Sequence, residues 1–148
     1  MRIAVFLMLL GSTFFIGARA EGANCTRTWM THTTGGTTFL IDVPDEEMRR
    51  SPTWLPSDGE PPLPPWRAAR ILQDWAARAH ADQGGVTINR IALRRQFCRV
   101  DTNRWYYDIK YTIGAASDPC CAQKRHALVL LNGRLFPPQK QSPSDRND

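Results

Sequence analysis

Trp105-Tyr106-Tyr107-Asp108-Ile109-Lys110-Tyr111-Thr112-Ile113 is the stretch on which the fold reading turns. Successive side chains of a strand point to opposite faces. Trp105, Tyr107, Ile109, Tyr111 and Ile113 therefore share one face, and Tyr106, Asp108, Lys110 and Thr112 share the other. An apolar face backed by a polar one predicts an antiparallel strand with one side buried and one side wet. On this reading Asp108 sits on the wet side.

Downstream, Arg125 to Leu131 reads as a second strand. Asn132-Gly133 is a hairpin turn signal, with Arg134 to Phe136 returning briefly. Upstream, Val86 and Ile88 have one parity, while Ile91, Leu93 and Phe97 have the other. That slip predicts a strand over Val86–Val100 with a bulge near Asn89 or Arg90.

Before this strand, Ala69, Leu72, Trp75 or Ala76, and Ala79 recur every three or four residues. The spacing predicts an amphipathic helix starting near Trp66 after Pro65 and ending at Gly84-Gly85. Residues 44–65 carry seven prolines, which fit neither a helix interior nor a central strand. They predict a long connecting loop pinned by Trp54 and Leu55. Thr37 to Val43 reads as a short strand within an N-terminal segment, 21–43, that begins Thr-rich and polar. The predicted fold is α+β: one long helix packed on a three- to five-stranded antiparallel sheet, stapled by disulfides. The helix and sheet span 66–137, and the polar tail 138–148 is expected to be disordered.

Met1-Arg2, an apolar run to Gly17 and Ala18-Arg19-Ala20 have the form of a secretory signal cleaved after Ala20. The apolar run is short for a spanning helix, so no transmembrane span is expected after cleavage. The expected location is secreted or periplasmic. Cys25, Cys98, Cys120 and Cys121 make an even set, which in an exported chain predicts two disulfides. Adjacent cysteines bond to each other only through a distorted ring, so Cys120 and Cys121 are expected to bond to Cys25 and Cys98, in either order.

The helix, the Gly84-Gly85 break, the strand ending near Phe97, Trp105-Tyr106-Tyr107-Asp108-Ile109, and Ala127-Leu128-Val129-Leu130-Leu131-Asn132-Gly133 together resemble small exported PepSY and cystatin-like modules. The resemblance covers roughly residues 66–136 and lies in layout. It implies an accessory, inhibitory or binding role without catalysis. The chain lacks the glutamine-valine-glycine type of hairpin of protease-inhibiting cystatins. Its cysteines and proline-rich segment depart from a minimal PepSY pattern, and no functional residue carries over.

No catalytic signature is present. His32, His80 and His126 have no metal-ligand spacing, and no metal or cofactor is expected. No G-x-S-x-G elbow occurs. A small secreted hydrolase would need Ser117, with Asp108 or another acid, to meet His126 or His80 in space. The denser signal is basic: Arg90, Arg94, Arg95, Arg99 and Arg104, with Lys110 and Arg125 on neighbouring strands. Arginine forks suit carboxylates, sulfates and phosphates, and Tyr106 adds a stacking surface. The ordinary alternative is that arginine stems cover an apolar sheet while their heads stay in water. Trp54, in the proline-rich loop, is the candidate aromatic anchor.

These features predict a non-enzymatic exported binding or accessory module for a protein or an anionic surface, with nucleic acid an improbable partner outside the cell. The hydrolase is one alternative. The other is a structural subunit of an envelope assembly, joined through an edge formed by the C-terminal strand.

Overall fold

The computed structural model describes residues 27–96, 103–114 and 123–141, with side chains from Met30 onward. The chain is mostly β. Strands β1 (Arg27–Thr34), β2 (Thr37–Pro44) and β7 (Gln139–Lys140) form one antiparallel sheet. Strands β3 (Val86–Arg95), β4 (Trp105–Ile113), β5 (Gln123–Leu130) and β6 (Leu135–Phe136) form a second, in that order across the sheet. The helices are α1 (Asp45–Arg50) and α2 (Pro65–Ala79), with a 3₁₀ turn over Pro56–Asp58.

This corrects the expected α+β fold, which had one sheet and one dominant helix. The difference is the N-terminal hairpin. Thr37 to Val43 was expected to be a short strand, and no strand was expected in the Thr-rich polar stretch before it. Instead, β1 and β2 pair along their full length, from Arg27 opposite Pro44 to Thr34 opposite Thr37. Threonine is polar, but its branched Cβ suits a strand. Gly35 and Gly36 both take positive φ, 55° and 73°, the backbone that a two-residue hairpin turn requires. Gln139–Lys140, from the segment expected to be tail, completes this sheet opposite Leu40 and Phe39.

β4 carries the predicted alternation and occupies a central place between β3 and β5. Its Tyr107, Ile109, Tyr111 and Ile113 are buried in one cluster with Ala127, Val129 and Leu131 and with Ala68 and Leu72 of α2. Burying each large apolar side chain contributes about 1.5–3 kcal/mol. Pro65 opens α2, where a missing N–H costs nothing. The helix ends at Ala79, ahead of the glycines. Gly84 and Gly85, both at positive φ, shape the turn into β3. The register of β3 against β4 shifts between Ile88 and Arg90, the site of the bulge.

The opposite face of β4 is not wet. Tyr106, Leu128 and Leu130 are buried there against Ile41 and Val43 of β2 and Met48 of α1. The four-stranded sheet is therefore covered on both faces, by α2 on one and the N-terminal hairpin on the other. Among the described residues, no helix is long and apolar enough to cross a membrane. The four cysteines, the segment expected to be a leader and residues 142–148 lie outside the described residues.

The proline-rich connection is fixed at named points. Trp54 N donates to Asn103 O at 2.8 Å, and Trp105 Nε1 donates to Trp54 O at 2.8 Å. The two indoles meet edge to face, with centroids 5.3 Å apart. Tyr107 Oη donates to Leu63 O at 2.6 Å. Leu63 is buried, whereas Leu55 is exposed and does not pin the segment as expected.

Candidate functional site

Asp108 is the centre of the charged cluster. It lies on the face of β4 beneath the N-terminal hairpin, and its side chain is 1% exposed. This overturns its expected place on a wet face, because β2 supplies the cover. A carboxylate in such a place needs partners, and the flanking strands provide them. Ala92 of β3 stands opposite Asp108, so Arg90 and Arg94 lie two residues to either side on the same face. Arg94 Nε donates to Asp108 Oδ2 at 3.0 Å, and Arg90 Nη2 lies 3.4 Å from the same oxygen. From β5, His126 Nδ1 lies 2.8 Å from Oδ1.

The two arginine side chains remain 53% and 43% exposed. Each guanidinium is thus held on one side by a buried carboxylate and reaches solvent on the other. Lys110 is paired in register with both Arg90 and His126 and adds a third cation to this face.

A chain of rings continues from His126. His32 of β1 stands opposite Phe39 of β2, placing both on one face of the hairpin. The His32 ring lies 5.3 Å from that of His126 and stacks on Phe39 at 5.3 Å. The guanidinium carbon of Arg125 sits 3.4 Å from the Phe39 centroid, a close cation–π contact. Among the described residues, neither ring nitrogen of His32 has a hydrogen-bond partner, and both are buried. Burial, then the neighbouring His126, then Arg125 hold the His32 pKa below its ordinary value.

The expected basic stripe is only partly assembled. Arg90, Arg94 and Lys110 come together. Arg95 points from the other face, where its Nη2 donates to Asn103 Oδ1 at 3.0 Å. Arg104 turns inward and donates from Nη1 to the carbonyls of Met48 and Ser51. Tyr106 is 9% exposed, so it offers no open stacking surface. Trp54 is engaged with Trp105, and among the described side chains the exposed tryptophan is Trp66, at 71%. Trp66 sits at the first turn of α2, just off the Ala68–Leu72–Ala76 stripe, and that offset is its signal in the sequence. Arg99 lies outside the described residues.

Among the described residues, His126 is the one histidine that meets an acid. His80 caps α2 and contacts the edge of Trp75 on the helix-covered side of the sheet. Ser117 lies outside the described residues. Among the described residues, no group of three or more histidine, cysteine, aspartate or glutamate side chains is placed to hold a metal ion.

No protein-family profile matches the chain, and neither any curated protein nor any solved structure does.

Proposed function

We propose that the chain is an exported binding or accessory module that recognises an anionic surface of another protein without chemistry of its own. The observation that carries this reading is the pair of half-exposed guanidiniums of Arg90 and Arg94, both oriented by buried Asp108. A cation that is already positioned loses less freedom on binding than a free arginine does. Lys110 on the same face and Arg95 at the end of β3 extend the positive field.

Titration with polyglutamate over a range of salt concentrations tests this reading. Binding that weakens as salt rises, and that falls by about tenfold in Arg90→Gln/Arg94→Gln, supports it. Unchanged affinity in that variant overturns it.

The contact between Asp108 and His126 favours the small hydrolase as a second reading, because a carboxylate at Nδ1 is the arrangement that orients a general base. Turnover of an activated ester that disappears in His126→Gln supports the hydrolase. Turnover unchanged by that substitution removes it.

A further inference from the structure

The second sheet ends on β3. Among the described residues, this strand has a strand neighbour on one side only, β4. It is ten residues long, whereas β6 at the other margin and β7 in the first sheet have two each. The C-terminal strand is thus too short for the docking edge expected from sequence, and β3 is the long edge of its sheet.

The edge has a marked chemistry. Val86–Arg95 contains Arg90, Arg94 and Arg95 and no acidic residue. Its apolar side chains, Ile88, Ile91 and Leu93, pack into the core beneath α2, so the strand is held firmly from one side. Unpaired backbone groups on a strand edge are a template for another strand. Three like charges along β3 repel a second copy of the same strand and attract an acidic one.

We propose that β3 is a docking edge for an extended acidic segment of a partner protein, which adds to the sheet as a further strand. Backbone hydrogen bonds to the open edge of β3 would supply affinity. Carboxylates alternating along the segment would meet Arg90 and Arg94, which share one face. This deepens the anionic-surface reading above and rests on it.

The test uses the full chain and three synthetic peptides. The first is Ac-Glu-Val-Glu-Val-Glu-Val-Glu-Val-amide. The second has the same sequence N-methylated at alternate residues, which keeps the charge and removes the edge hydrogen bonds. The third replaces glutamate with lysine. Binding is read by fluorescence anisotropy, and hydrogen exchange locates it on the chain.

The expected result is that the first peptide binds about tenfold or more tighter than either of the others and slows exchange within Val86–Arg95. Equal binding by the N-methylated peptide, or protection that maps away from β3, overturns strand addition and leaves anionic recognition standing. No binding of the first peptide, together with no binding of polyglutamate, overturns both.

Discussion

His32 and His126 bring one imidazole from each sheet to a centroid separation of 5.3 Å. His32 contacts both His126 and Phe39, its two nitrogens are buried and without a hydrogen bond among the described residues, and Arg125 packs on the Phe39 ring. A proton added to His32 finds no acceptor among the described residues and faces the Arg125 guanidinium.

The first prediction concerns pH. The pKa of His32 in the folded state lies below its ordinary value, so the unfolded chain takes up this proton first as pH falls. The stability contributed by neutral His32 is fully present above the unfolded pKa of about 6.5 and is lost as pH drops through that value toward the lower folded one. Urea unfolding between about pH 7.5 and pH 5 should show falling stability, with a shallower slope in His32→Gln. An identical slope in the variant would remove His32 as the cause.

Asp108 supports a second prediction. Asp108→Ala strips His126, Arg94 and Arg90 of their shared acceptor and leaves a void beneath the hairpin. The two arginines relax into water, so the cost is set mainly by His126 and the cavity, and about 2–3 kcal/mol is expected. Asp108→Asn keeps the volume and one acceptor oxygen and should cost about half as much. Denaturant midpoints of the two variants check this ordering.

Tyr107→Phe removes the donor to Leu63 O while keeping the ring in the core. Loss of a buried hydrogen bond predicts about 1–1.5 kcal/mol of destabilisation. It should also speed proteolytic cleavage between Pro56 and Leu63, because that segment loses one of its fixed points. Cleavage at the wild-type rate would show that Trp54 and buried Leu63 suffice to hold it.

Arg104 joins α1 to the start of β4 through the carbonyls of Met48 and Ser51. Arg104→Ala leaves both acceptors without this donor and predicts a loss of about 2 kcal/mol, measurable by thermal unfolding. Because the side chain is spent inside the fold, Arg104→Gln should leave polyglutamate binding within about twofold of wild type. A larger loss would return Arg104 to the binding surface.

How much of this could be read from residues alone varies along the chain. The alternation in β4, the bulge after Ile88, the Leu72–Ala76 part of the α2 stripe and the Asn132-Gly133 turn are local patterns, and local patterns survive in the sequence, although the buried stripe begins at Ala68 rather than Ala69 and leaves Ala79 exposed. What covers a face is not local. Asp108, Lys110 and Thr112 mark a polar face, but wetness depends on whether another element lies over it. The signal for that element was present. Phe39, Ile41 and Val43 alternate onto one side of β2, and a sheet face of that kind needs a partner. Once α2 has taken the Tyr107–Ile109–Tyr111 side, the Asp108 side is what remains. Arginine offers no such clue, since the same side chain suits solvent, a buried carboxylate or a carbonyl pair. Arg94 and Arg104 therefore part ways only in three dimensions.

The pairing of β2 with β7 joins Phe39 and Leu40 to Lys140 and Gln139. The first sheet therefore draws on both ends of the described chain. During synthesis the hairpin emerges before the strands of the second sheet and must wait for its third strand until Gln139–Lys140 has followed. Its inward face, with Ile41 and Val43, has no place to dock until β4 and β5 exist. For that interval the nascent chain carries an apolar hairpin face without its cover, so the order of emergence makes this protein dependent on rapid late closure or on a temporary shield.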